Sequence, residues 1–194
     1  PGGGGLNVAR AIVKLGGRAG ALYLAGGPTG EILEELLQVE LDDLDRVRIA
    51  QWTRENFIAL DEDSGQQFRF GLPGHRIAEE EWGALLEAIE RLDPRPDYLV
   101  ASGSLPPGVP DDFFARVADL GGRLGWRLVL DSSGEALRLG LEQGGVFLVK
   151  PNMGELRRLA GIAPGEEARP RPLAEAIVRE GRAEAVLVSL GRAG

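Results

Sequence analysis

Ala19-Gly20-Ala21-Leu22-Tyr23-Leu24-Ala25-Gly26-Gly27-Pro28-Thr29 decides the architecture. Residues 19–25 are a short apolar run of strand length. Gly26-Gly27-Pro28-Thr29 then supplies a turn and a helix cap, and Ile32, Leu33, Leu36 and Leu37 follow at helical spacing. A strand thus passes directly into a helix. Working outward, the same alternation returns with helical runs at 82–92, 113–120 and 173–178 and strand runs at 98–101, 127–130, 146–149 and 185–190. These strands are short and apolar without clear alternation, the mark of strands buried on both faces. The expected fold is α/β: a mainly parallel sheet with helices on both faces, right-handed crossovers, and binding sites at the strands' carboxyl ends.

Residues 46–74 break the rhythm. Three strand-like runs, 47–50, 56–60 and 67–70, follow one another without room for helices, and Asp61-Glu62-Asp63-Ser64-Gly65 suits a hairpin turn. The expected organisation is therefore an α/β core over 1–45 and 75–194 with a small antiparallel β lid over 46–74; a plain edge meander is the blander alternative. Residues 164–172, rich in Pro, Arg and Glu, read as loosely ordered.

The chain's 194 residues, 43% of them hydrophobic, suffice for one substantial core. A net charge of -8 argues against a nucleic-acid face, and no segment approaches the roughly 20 apolar residues of a membrane span. The lack of cysteine rules out disulfides, thiolate metal sites and thiol nucleophiles within this sequence, and suits a cytoplasmic setting. Lysine stands only at positions 14 and 150, so arginine supplies the rest of the 22 basic residues.

At the chain's start, Pro1-Gly2-Gly3-Gly4-Gly5-Leu6-Asn7 leads into an amphipathic helix carrying Leu6, Ala9, Ile12 and Val13. Without β-carbons the backbone can approach a ligand closely, and first-turn amides point outward as donors, which invites an anionic or polyhydroxyl ligand. An opening inside such a loop, and an end on the turn after a strand, create the expectation that the chain is the middle of a longer protein.

Four strand exits carry candidate chemistry. Ser102-Gly103-Ser104-Leu105-Pro106-Pro107-Gly108 offers two hydroxyls before a rigid turn, or is an ordinary connection. Asp131-Ser132-Ser133-Gly134 puts a carboxylate at a strand end, for a ligand or for capping the next helix. Lys150-Pro151-Asn152-Met153-Gly154-Glu155 gathers a cation, an amide and a carboxylate within one turn. Asn152 and Glu155 could hold a hydrated Mg²⁺ with Lys150 facing phosphate, although Asn followed by Glu three residues on is more commonly a helix-capping arrangement. Ser189-Leu190-Gly191-Arg192-Ala193-Gly194 can offer backbone amides to phosphate, or serve as a turn. In a parallel sheet these exits converge on one rim. In the insert, Arg54 and Arg69 could each fork onto a phosphoryl group, whereas His75 reads as a surface residue. A dinucleotide-binding fingerprint does not fit, because Val8 occupies the position of its last glycine.

Taken together, PGGGGLNVARAI, AGGPTGE, WTREN, QFRFGLPG, SGSLPPGVP, LDSSGEAL, KPNMGEL and VSLGRAG resemble, in order and spacing, the ribokinase/PfkB family of sugar kinases over essentially the whole chain, and within it the minor 6-phosphofructokinase branch. The resemblance implies ATP- and Mg²⁺-dependent phosphorylation of a sugar phosphate, fructose 6-phosphate to fructose 1,6-bisphosphate. It implies that Gly3, Gly4 and Asn7 grip sugar hydroxyls, that Arg54 meets the 6-phosphate, and that Ser104 lines the sugar pocket with Arg69 nearby. On the nucleotide side it implies Lys150 and Asn152 near the phosphates, and Ser189, Gly191 and Gly194 as the nucleotide wall. Glu155 would order the Mg²⁺ waters, with Asp131 helping to arrange them. The family's Gly-Ala-Gly-Asp motif, which carries the catalytic base, is expected beyond Gly194, so no base is expected in this stretch; an upstream strand with a sugar-binding aspartate is expected before it. The family's lids often pair, which implies a homodimer through residues 46–74. Kinases of fructose 1-phosphate and tagatose 6-phosphate share an element like Thr53-Arg54-Glu55-Asn56 but typically carry lysine where this chain has Gly4; Gly4 and Trp52 favour the 6-phosphofructokinase branch. A non-catalytic sugar- or nucleotide-binding fragment is the remaining alternative.

Overall fold

The computed structural model describes residues 2–163 and 166–193. The chain divides into two compact units, one of Ala9–Ala88 with Pro106–Val109, the other of Gly2–Val8, Ile89–Leu105 and Pro110–Gly194.

The first unit holds most of α1 (Gly4–Lys14), then β1 (Ala21–Ala25), α2 (Gly27–Gln38) and β2 (Leu44–Arg48). β1 and β2 are parallel, with Ala21 opposite Leu44 and Ala25 opposite Arg48. Parallel neighbours need a crossover, and α2 provides it, burying Leu37 completely and leaving Leu41 beyond its end 2% exposed. The Arg46 side chain, only 7% exposed, is paired with Glu34 of α2 at 2.7 Å. The first of the three runs read at 46–74 therefore belongs to a parallel pair that begins at Leu44, not to an antiparallel patch. The antiparallel part is the hairpin of β3 (Asn56–Leu60) and β4 (Gln67–Gly71), with Asn56 opposite Gly71 and Leu60 opposite Gln67. Its turn is the one expected: the Asp61 carboxylate accepts from the Asp63 amide and the Ser64 hydroxyl, and Gly65 takes the left-handed conformation at φ 68°. α3 (Glu79–Glu90) follows.

The second unit contains a four-stranded parallel sheet in the order β5 (Tyr98–Ser102), β6 (Arg127–Asp131), β7 (Val146–Val149), β8 (Ala183–Val186). Central placement explains the apolar sequence of β6 and β7: Leu128, Leu130 and Val149 are 0% exposed. α4 (Phe113–Leu124) packs on β6 and on α5 (Gly134–Gln143); α6 (Met153–Leu159) and α7 (Pro170–Arg179) pack on each other, α7 also on β8. A short 3-10 turn covers Gly191–Ala193. α4 ends on Gly125 at φ 87°, a left-handed cap that brings Trp126 back against Gly121, where a β-carbon would lie 2.6 Å from the indole ring.

Two further expectations are corrected here. The last strand is not 185–190: it pairs with β7 from Ala183 to Val186, while Leu187 and Leu190 are 56% and 42% exposed. Hydrophobicity placed the run, but register with β7 decided which residues pair. And the stretch read as loose, 164–172, already contains the first turn of α7, which opens on Pro170, where a missing amide costs nothing. Among the described residues, no helix is long and apolar enough to cross a membrane.

Candidate active site

Because β5 to β8 are parallel, their carboxyl ends share one edge, and the loops leaving them are stapled together. Gly103 N–H donates to the Asp131 carbonyl at 2.9 Å, the buried Ser132 hydroxyl donates back to the Gly103 carbonyl at 3.0 Å, and Lys150 N–H donates to Leu130 at 3.1 Å. On the far side, Ser189 N–H donates to Pro151 at 3.1 Å, and Asn152 and Ser189 form a parallel bridge. The convergence expected of the four exits is what the second unit displays.

On this edge the side chains form two clusters. Lys150 Nζ lies 3.1 Å from Asp131 Oδ1, and the Ser102 hydroxyl donates to Asp131 Oδ2 at 3.4 Å. Neighbouring them, Asn152 opens α6 with a complete capping box: its Oδ1 accepts from Glu155 N–H and Glu155 Oε2 accepts from Asn152 N–H, both at 2.9 Å. The commoner of the two readings of this motif is thus realised. It occupies one oxygen of each side chain, while the Asn152 amide group and Glu155 Oε1 take no part in the cap. Asp131 does not cap α5, whose N-cap is Ser133.

The glycine loop meets the same edge. Gly3 sits at φ 120°, and Gly4 begins α1 pressed against the β5 exit: a β-carbon on Gly4 would fall 2.3 Å from Ser102 Oγ and 3.2 Å from its carbonyl carbon. Gly4, Ser102, Asp131 and Lys150 thus form a continuous line across four chain segments, the start of α1 and the ends of β5, β6 and β7. Asn7, Ser104 and Gly191 are exposed on this unit.

The first unit carries the arginines. Thr53 is tied to the start of α2: its N–H donates to the Gly26 carbonyl at 2.8 Å, its Oγ1 accepts from Gly26 N–H at 3.0 Å, and its carbonyl accepts from Thr29 at 2.8 Å. Thr29 thus works from inside α2, whose N-cap is Gly26. A β-carbon on Gly26 would lie 2.1 Å from the Ile49 carbonyl, and one on Gly27 would lie 2.4 Å from the Trp52 ring, so glycine is required at both. The result is a fixed platform for Arg54, whose exposed guanidinium donates to the Leu72 carbonyl at 3.4 Å. Arg69 lies in β4 opposite Ile58; its side chain, and Gly194, lie outside the described residues. His75 is exposed, as expected.

The contact of Ser102 with Asp131 and the Asp131–Lys150 pairing were missed by sequence reasoning. The signal available was the pair of hydroxyls in Ser102-Gly103-Ser104, but strand order, which alone makes 102, 131 and 150 neighbours, is not written locally. Among the described residues no cluster of three or more His, Cys, Asp or Glu side chains could cage a metal. Glu155, with the oxygen its cap leaves over, is the carboxylate on this edge that could reach a hydrated divalent cation, whereas both oxygens of Asp131 already have partners.

Comparison with known proteins identifies the family. The family model "pfkB family carbohydrate kinase" matches residues 1–194. The ATP-dependent 6-phosphofructokinase isozyme 2 of Escherichia coli is 43% identical over 194 residues, covering 100% of this chain and 62% of that protein. The 1-phosphofructokinase of Bacillus subtilis is 33% identical, again over 100% of this chain and 62% of the relative. Structures of phosphofructokinase-2 from E. coli, in complex with fructose-6-phosphate and in a tetrameric inhibited form, each superpose with a TM-score of 0.92 at 43% identity, covering 100% of this chain and 64% of theirs. The chain therefore spans a little under two thirds of the length of these relatives. A glycine loop seated on a parallel-sheet edge, a Thr-Arg platform and a capped Lys-Pro-Asn exit, matched over every residue of the sequence, place this chain in the pfkB family of carbohydrate kinases.

Proposed function

We propose that this chain forms the substrate-gripping part of an ATP-dependent kinase that converts fructose 6-phosphate to fructose 1,6-bisphosphate by in-line phosphoryl transfer. The observation that carries the reading is the carboxyl edge of β5–β8, where the glycine loop and the Lys150–Asn152 exit meet. Amides of the Gly3-Gly4 loop and Asn7 receive sugar hydroxyls, Ser104 lines their pocket with Arg69 as a further contact to the sugar, and Arg54 supplies a bidentate fork for the 6-phosphate. Lys150 and Asn152 face the nucleotide phosphates, and Ser189, Gly191 and Gly194 form the wall behind them. Glu155 orders the waters of Mg²⁺ through the oxygen its cap leaves over, with Asp131 as the further carboxylate on this edge. That ion, when bound, neutralises charge on the transferred phosphoryl group. The chain's own part is positioning: rigid loops hold acceptor and donor while amides and cations meet negative charge as it develops. The sequence contains no Gly-Ala-Gly-Asp, the family's base-bearing motif, so proton removal is assigned to no residue here.

Fructose 1-phosphate or tagatose 6-phosphate as acceptor is the second reading, supported by the B. subtilis relative. Gly4 weighs against it, since the close approach of Ser102 leaves no room for a side chain of the kind those kinases carry. The proposed enzyme is a homodimer through the hairpin: Phe57, Ile58, Leu60, Phe68 and Phe70 are 49–62% exposed, and a two-stranded hairpin with such side chains is marginal in water until covered. A tetrameric form of the E. coli relative is compatible with a dimeric building block.

The test is a substrate panel on the full-length protein, in wild type and Arg54→Ala. Fructose 6-phosphate should be the preferred acceptor, and Arg54→Ala should raise its KM about 100-fold or more, the loss of a charge-assisted pair, with the KM for ATP nearly unchanged. Equal effects on both substrates would reject the assignment.

A further inference from the structure

We propose that Asp131 is a positioning residue that fixes Lys150 for the phosphoryl group, with Ser102 holding Asp131 in turn. The inference rests on the kinase reading and departs from the metal-water role considered for Asp131 above.

Both oxygens of this carboxylate are engaged, and from opposite sides. Lys150, leaving β7, contacts Oδ1 at 3.1 Å, and Ser102, ending β5, donates to Oδ2 at 3.4 Å, with β6 between them. A carboxylate torsion is otherwise broad, so two partners on adjacent strands fix its plane. Stability does not explain the arrangement: the Lys150 and Asp131 side chains are 38% and 35% exposed, where an ion pair contributes little. Orientation does. The lysine stem is long and flexible, and a single anchored partner selects one direction for its ammonium. Metal waters could use only the lone pairs that Lys150 and Ser102 leave on these oxygens. Ser102 is hemmed in on its other side, where a β-carbon on Gly4 would stand only 2.3 Å from its hydroxyl. The acceptor-side loop and the donor-side cation are therefore braced through one carboxylate.

In the full-length protein, Asp131→Asn, Lys150→Met and the double variant are compared. Acting through Lys150, Asp131→Asn lowers kcat about ten-fold, the scale of a sub-ångström misplacement, moves the KM for ATP less, and costs nothing further once Lys150→Met is present. Ser102→Ala, which leaves the strand intact, lowers kcat in the same direction by a smaller factor. A metal-arranging carboxylate instead raises the Mg²⁺ concentration for half-maximal rate several-fold and keeps its full cost in the Lys150→Met background; either result overturns the proposal. A second readout needs no turnover. After reductive carbon-13 methylation, the Lys150 resonance, identified by its loss in Lys150→Arg, should shift in ligand-free Asp131→Asn. An unmoved resonance overturns the proposal whatever the enzyme phosphorylates. A shifted one in a protein that phosphorylates no sugar phosphate supports the pairing and counts against the kinase reading instead.

Discussion

Gly4→Ala separates packing from catalysis within a single methyl group. The added carbon would stand 2.3 Å from Ser102 Oγ, 3.1 Å from its β-carbon and 3.2 Å from its carbonyl carbon. A rotamer change of Ser102 relieves the first contact but neither of the others, so the start of α1 or the end of β5 must give by several tenths of an ångström. Overpacking of this kind costs about 1–3 kcal/mol. Replacing glycine by alanine in a helix returns about 0.5–1 kcal/mol through chain entropy. The net loss is then about 0–2.5 kcal/mol, a fall in Tm of at most about 10 °C for a domain of this size. Activity should suffer more: displacement of the acceptor loop relative to Ser104 is of the scale that costs up to about 100-fold in rate, and kcat/KM for fructose 6-phosphate should fall accordingly. The assay is coupled steady-state kinetics on full-length protein beside thermal unfolding. Two companions isolate the cause. Ser102→Gly removes the two nearer contacts, so Gly4→Ala should cost less in that background than in the wild type. Gly5→Ala, whose β-carbon meets nothing within 4 Å, should raise stability by about 0.5–1 kcal/mol. Normal kcat/KM in Gly4→Ala, or a Gly4→Ala cost as large in the Ser102→Gly background as in the wild type, would refute the bracing of loop and strand.

Other outcomes follow from the same coordinates. Replacing Ile58 and Phe70 together by Asp should convert a dimer to monomers in light scattering, with the monomer still folded by circular dichroism; an unchanged mass would remove the hairpin as the interface. The Ser64 hydroxyl and then the Asp63 amide hold the Asp61 carboxyl below its ordinary 3.8. A carboxyl with a depressed folded pKa adds stability above its unfolded value that is lost as pH falls through the folded one. Hydrogen exchange in the hairpin should therefore be pH-insensitive in this respect above about pH 5 and lose protection in acid; Asp61→Asn should abolish that dependence. Leu128→Ala, at a fully buried position of β6, should cost about 2–5 kcal/mol, read as a lowered midpoint in urea with the slope unchanged.

Much of this was legible in the chain. Apolar runs located β5, β6 and β7 to within a residue, because β6 and β7 lie inside the sheet and bury Leu128, Leu130, Val146 and Val149, while β5, at the end of the order, is still half-buried beyond Tyr98. The 61–65 turn and the Asn152–Glu155 cap were equally plain, since each is closed by side chains reaching backbone only two or three residues away. Where the reading slipped, partners were distant. The run at 47–50 looked like its antiparallel successors because a strand's own pattern does not name its neighbour; β1 claimed it in parallel register from Leu44. The last strand slid toward its chain start because its register with β7 runs from Ala183 to Val186; Leu187 still donates its N–H to the Val149 carbonyl at 2.9 Å, but its side chain is 56% exposed.

The site divides in the same way. Sequence by itself determined the glycines, the Thr-Arg element, the capped Lys-Pro-Asn exit and, through them, the family, because these are local conformational demands that few residue types can meet. Tertiary structure alone decided that Gly4 touches Ser102 and that Asp131 lies between Ser102, 29 residues away in the chain, and Lys150. Those contacts depend on the order β5-β6-β7. That order is set by burial and hydrogen bonding summed over whole strands, a quantity no short stretch of sequence contains.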